Sequence, residues 1–386
     1  MVTMQSADNA LKSFYLDAVT DAIDLKSNAF LASIQHSTAD VYGKDVRKLV
    51  RYGVNGGVAA GSETGDLPTA EANRYALFVS TLKNLYGTIE ISDKAMKASQ
   101  NNEGAFVNLL NDEMEGVVNS AKFHFGRMLH GDGQGYLGKY TSASTGNVLK
   151  VNDTKAFVEG MRVNLQDDSG MLDDLPYMTV VAVDRANGTV KLGGADYSSA
   201  LTTGTIVTSA DAEELTGLKA IFEADEIYGL KKSEYPFLKP YDQADVGEID
   251  ELTIQTAIDK IEESSGSSVN FILCSWGVRR ALIQYYKQQG IATKTVEIEG
   301  GFKAISFNGI PVVADRFCAE GTMYLLNTND FKLYQLCDWQ WMESEDGKIL
   351  RQVPGKPVYT ATIVKYAELI CEKPNGQGRL TGITEA

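Results

Sequence analysis

Gly133-Gln-Gly135-Tyr-Leu-Gly138 spells G-x-G-x-x-G, the spacing that lets a backbone wrap a dinucleotide pyrophosphate. That chemistry needs a strand before the glycines and a helix opening on them, so that the helix N-terminus faces the phosphates. Here a long helical pattern precedes the glycines and a linker-like stretch follows, so they read as a helix-terminating loop. The glycines from Gly53 to Gly65 lack the Gly-Lys-Ser/Thr ending of a phosphate loop. Only three histidines are present. His124 and His130 are six apart and miss the i, i+4 spacing of a helical metal pair, and His36 ends an N-terminal helical pattern. All three are read as solvent-exposed or capping residues rather than as part of a Ser-His-Asp triad. The four cysteines (Cys274, Cys318, Cys337, Cys371) lie far apart among apolar neighbours, as reduced, buried thiols of a cytosolic product do.

Acid pairs are numerous: Asp167-Asp168, Asp173-Asp174, Asp225-Glu226, Asp250-Glu251, Glu262-Glu263. Neighbours in sequence point apart on a helix or strand, so none implies a catalytic dyad. The loop holding Asp167, Asp168, Asp173 and Asp174 lacks the spacing of a calcium site and reads as a solvated acidic turn. No catalytic residue, metal or cofactor is expected. Composition points the same way. The chain has 386 residues, 44% apolar and 23% charged, close to soluble globular averages. Its 51 acids against 36 bases give a net charge of −15, which argues against gripping nucleic acid through phosphates. The best apolar stretch, Val269 to Val278, contains Asn270 and is too short for a membrane span, and the first residues carry no secretion signal.

What remains is a set of elements that a single copy has difficulty finishing. Leu11, Phe14, Tyr15, Ala18, Val19, Ala22 and Ile23 make one helical face within Asp8 to Ser37, with nothing adjacent to cover it. Val46 to Val54 and Leu77 to Ile91 are strand-like and flank the turn-rich Gly53 to Pro68, which predicts a long hairpin with a flexible tip. Such a hairpin is marginal alone. From Glu103 to Leu129, Phe106, Leu110, Met114, Val117, Ala121, Phe125 and Met128 form one stripe, a rod of roughly 40 Å. Tyr140 to Asp211 reads as an inserted small β-barrel or sandwich between polar linkers, with a tight turn at Asn187-Gly188. Helices over Ile249 to Ser264 and Trp276 to Gln289 then alternate with strands. The last two strand-like runs are Lys348 to Val353 and Val358 to Glu372.

In their order, these residues resemble the major capsid proteins of tailed bacteriophages, the Hong Kong phage fold shared with encapsulin shells. Tyr42-Gly-Lys44-Asp-Val-Arg-Lys is similar to the lead into that family's extended loop, and Gly53 to Pro68 with Tyr86-Gly-Thr-Ile-Glu-Ile-Ser92 to its tip and returning strand. Asn102-Glu-Gly-Ala-Phe106 into Leu129-His-Gly-Asp-Gly133 is similar to the spine helix and its stop. Gly217-Leu-Lys-Ala-Ile-Phe222 and Tyr228-Gly-Leu-Lys-Lys232 resemble the re-entry to the peripheral domain. Phe307-Asn-Gly-Ile-Pro-Val-Val-Ala-Asp315 with Gly321-Thr-Met-Tyr-Leu-Leu-Asn327 resembles the axial-domain strands.

The resemblance implies an α+β fold: an N-terminal arm (1–43), an extended loop (44–94), a peripheral domain (95–139, 212–247, 346–386) and an axial domain (248–345), interrupted by the inserted all-β domain (140–211). It implies a non-enzymatic subunit of an icosahedral, DNA-filled head, built as pentamers and hexamers. An encapsulin-type compartment or a tail or decoration protein is the alternative. A separate scaffolding protein, a portal and a decoration protein are the expected partners, with DNA enclosed but not read and no membrane involved. The virion, assembled in the host cytoplasm, is the expected location. Gly56, Gly57, Gly61, Glu63 and Gly65, at the loop tip, are the expected contacts with a neighbouring copy. The negative charge then has a use: it keeps the wall from holding packed DNA.

Overall fold

A computed structural model describes residues 28–94, 103–144, 146–167, 170–171, 176–198, 201, 203–208, 213–291, 295–298, 302–343 and 347–386. The amphipathic pattern from Leu11 to Ile23 and the acids Asp168, Asp173 and Asp174 lie outside the described residues. Three apolar clusters organise the rest.

The first cluster sits between the long helix (Glu103–His130) and a five-stranded sheet. Val358–Cys371 is the sheet's central strand and is buried along most of its length. It runs antiparallel to Phe331–Trp341 on one side and to Lys83–Ser92 on the other, where Lys83 pairs with Ala367 and Ser92 with Val358. Gln35–Ser37 adds a parallel edge to Phe331–Trp341. His36 therefore lies in a strand and does not end a helix; the helix there is only Ala29–Ala32, capped by the Asn28 side chain. Met114 and Phe125 of the long helix are buried and Val117, Ala121 and Met128 pack against the cluster, as the predicted stripe requires of them; the side chains of Phe106 and Leu110 lie outside the described residues.

The second cluster lies in a seven-stranded mixed sheet flanked by helices Glu251–Ser265 and Trp276–Gln288. Both helices start on side-chain caps: Asp250 accepts from the Thr253 N–H at 2.7 Å, and Ser275 from Val278. The first ends on Gly266 in the left-handed conformation that favours glycine (φ 64°).

The third cluster fills the sheet formed by residues 136–207. A pairing of Met178 with Val163 joins two strands already linked the long way round, so six strands close on themselves as a small barrel. Leu149, Phe157, Val163, Val190 and Ile206 inside it are fully buried. The sheet begins at Tyr136, four residues before the expected boundary at 140, with strand Tyr136–Ser144, and the Asn187-Gly188 turn is a four-residue connection between Met178–Asp184 and Thr189–Leu192. The two ends of this segment meet, since the Thr208 N–H donates to the Gly135 carbonyl at 2.9 Å.

Candidate assembly surface

The hairpin is built from Asp45–Arg51 and Tyr75–Thr81, in register from Asp45↔Thr81 to Arg51↔Tyr75. The second strand-like run of the sequence, Leu77 to Ile91, divides at Leu82: its first half stays in the hairpin and its second half joins the central strand of the large sheet. The break follows from partners. Leu82 is buried and donates its N–H to the Lys44 carbonyl, closing the hairpin at its base.

Side chains alternate across a strand, and here both faces are apolar. Val46, Ala76 and Phe78 point inward and are buried against the body. Outward, Leu49 (58% exposed) stands opposite Leu77 (48%), flanked by Tyr75 (50%) and Val79 (38%). Arg47 and Arg51 share that outer face. At about 25 cal/mol per Å² of apolar area, such a contiguous face is a standing cost while it stays in water.

The inner face is held by aromatic rings. Phe78 packs on Tyr228 at 5.1 Å and lies parallel to Phe237 at 6.2 Å; Tyr52 stacks on Phe237 at 4.7 Å. Tyr228 takes a left-handed backbone (φ 53°) that aims its carbonyl at the Val79 N–H, 3.1 Å away. Its hydroxyl donates to the Leu369 carbonyl and accepts from the Cys371 N–H on the central strand. Burial pushes this phenol well above its ordinary range. At the base, Lys48 Nζ bonds Asp40 at 2.7 Å and lies 3.7 Å from Glu372, which also receives Lys332 (3.1 Å) and the Tyr334 hydroxyl (2.6 Å). The Asp40 hydrogen bond raises the Lys48 pKa.

Past Tyr52 the chain leaves the body. Gly56, Gly61, Glu63 and Gly65 are exposed and Gly57 half-buried, next to Val58 (87% exposed) and Leu67 (91%). No tip glycine has a left-handed φ, so their contribution is freedom rather than a required turn. These five positions lie on the segment that joins the two hairpin strands. Leu49, Tyr75, Leu77 and Val79 are the contact candidates that sequence reading missed. The signal was present, because a strand with apolar residues at both parities has two faces to cover.

The glycines at 133–138 follow a helix and lead into a strand, the reverse of the order a pyrophosphate site requires. Gly133 and Gly135 take positive φ in that turn. The histidines of the long helix are not solvent-exposed as expected. His130 is buried with Nε2 3.3 Å from Asp315, and burial followed by the Arg127 charge lowers His124 to about 4. Cys274, Cys318 and Cys371 are buried free thiols; Cys337 is half-buried.

No protein-family model matches this chain, and no curated protein does. Solved structures do. Over 94% of both chains it superposes on a chain of the capsid asymmetric unit of cyanophage A-1(L), with a TM-score of 0.56 at 10% identity. The chain has a phage capsid fold. Similarity also extends to the procapsid of satellite phage P4 (TM-score 0.47, 11% identity, 97% of this chain and 99% of the other). An encapsulin complex of Synechococcus elongatus gives 0.44 at 9% identity over 91% and 85%. Glu103–His130 stands where the spine helix was expected; of the 44–94 expected for the extended loop, the hairpin takes 45–81, and Lys83–Ser92 belongs to the large sheet instead.

Proposed function

We propose that this chain is the structural subunit of an icosahedral phage head, assembling with itself into pentamers and hexamers around double-stranded DNA. One observation carries the reading: on a capsid fold, the extended loop buries one apolar face on its own body and offers the other, with a glycine-rich tip, to solvent. A second copy completes that face. Single contacts of about −4 kcal/mol are only millimolar, so misplaced joints reopen, while several per subunit hold a closed shell. Scaffolding, portal and decoration proteins are the proposed partners, and the virion the proposed location. The 136–207 barrel is proposed to be an inserted domain on the outer surface.

Electron microscopy of the purified protein tests this directly. Closed shells are expected from the intact chain, and a soluble subunit without shells after removal of Gly56 through Glu63. An intact chain that stays single-copy at high concentration refutes the proposal, and normal particles from the deletion remove the loop tip from it.

A further inference from the structure

Glu368 lies in the middle of the central strand and is completely buried. One carboxylate oxygen accepts the Thr216 N–H at 2.9 Å; the other has no hydrogen-bond partner among the described residues. The groups facing it come from each packed element. Lys83 belongs to the neighbouring strand, Tyr228 to the anchor of the extended loop, and Tyr334 lies opposite across the ladder. None closes an ion pair with it within 4 Å.

Thr216 belongs to the segment that returns from the barrel to the body. That segment is strapped twice. Glu214 is buried in a two-pronged ion pair with Arg127 of the spine helix, and Thr216 is tied to Glu368. Between strap and spine there is no room: a Cβ on Gly217 would meet the carbonyl oxygens of Met128, Leu129 and Gly131 at 2.3–2.7 Å. A carboxyl group with one bond and no counter-ion, sealed in a sheet, tolerates its neutral form far better than its charged form.

We propose that Glu368 is a proton-operated clasp. Protonated, it rests at no charge cost inside the closed sheet; ionised, the cost of burying its charge outweighs the stronger bond it makes to the Thr216 N–H and favours the open, hydrated state of the strap. Burial raises its pKa from the usual carboxylate value to about 7, which places the change between mildly acidic and mildly basic solution. The sign follows from linkage. The closed state keeps the proton up to about pH 7 and the open state loses it near the ordinary 4.5. Closure is therefore strongest at and below about pH 4.5, weakens as pH rises, and reaches its floor above 7.

Hydrogen exchange at the Thr216 amide, measured from pH 5 to pH 8 in the full chain and in Glu368→Gln, tests the clasp. Protection, corrected for intrinsic exchange, is expected to fall by up to roughly a hundredfold in the unmodified chain and to stay flat in the variant. Parallel curves in the two proteins overturn the proposal. If Glu368→Gln does not fold, the carbon-13 carboxyl resonance of Glu368 in the unmodified chain decides: a midpoint near 7 supports the clasp, and one below 5 overturns it.

Discussion

The Tyr52 ring lies flat on Phe237, centroids 4.7 Å apart and planes 7° from parallel. Tyr235 and Phe78 complete the cluster around Phe237, and among the described residues no ring contact to the body comes from the stretch between Tyr52 and Tyr75. The pair therefore marks where the loop is released.

Phe237→Ala is expected to cost about 1–2 kcal/mol, from lost ring contacts and partial burial. The larger effect is local: amides of Tyr75–Thr81 should exchange faster while those of Val358–Cys371 keep their protection. Equal acceleration in both strands counts against a hinge at this stack.

Leu49→Lys combined with Leu77→Lys places two like charges on the outer face, opposite each other. Both positions are half open, so the subunit should melt within about 1 kcal/mol of the parent. Shell yield should collapse. Normal shells by electron microscopy would show that this face stays uncovered in the particle.

Arg127 and Glu214 are both buried, each supplying two atoms to the pair. Arg127→Met leaves Glu214 charged and alone, a loss of about 3–5 kcal/mol. Adding Glu214→Leu should restore much of it, because the double replacement removes the stranded charge. A double-mutant cycle by denaturant melting gives the coupling, and near-additive losses contradict a true buried pair.

His124 titrates in the folded chain at about 4, because it is buried and Arg127 stands near. The unfolded chain binds that proton near 6.5, so stability is whole above about pH 6.5 and declines as pH falls to 4, by up to about 3 kcal/mol. Glu368 pulls the other way over part of this window, so the measurement is the difference between the parent and His124→Gln. That difference should change steadily between pH 6.5 and 4. A constant offset means that His124 does not titrate as described.

The barrel's two ends are joined by the hydrogen bond between Thr208 and Gly135. Replacing residues 136–207 with a short glycine-serine linker should leave a cooperative thermal transition and a folded remainder. Loss of that transition would make the barrel integral to the fold.

The spine helix was legible because Met114, Val117, Ala121, Phe125 and Met128 repeat with a helical period, and the barrel because its turns punctuate short alternating strands. The division at Leu82 was not legible. Leu77 to Ile91 reads as one continuous strand, and only its distant partner, Val358–Cys371, decides where it leaves the hairpin. Burial of His130 was hidden for the same reason: Asp315, its partner, lies 185 residues away (315 − 130). At the candidate surface, the glycine-rich tip announced itself by composition. The outer row of Leu49, Tyr75, Leu77 and Val79 did not, because apolar strand residues look alike whether a body covers them or nothing does.

The central strand Val358–Cys371 receives Lys83–Ser92 from the front of the chain and Phe331–Trp341 from near its end. A ribosome must therefore release most of the polypeptide before this sheet can close. Nascent chains pass through synthesis with the hairpin's docking site unbuilt, since Tyr228 anchors on Leu369 and Cys371. The sheet, and with it the docking site of the hairpin, is completed only after translation has passed those last strands.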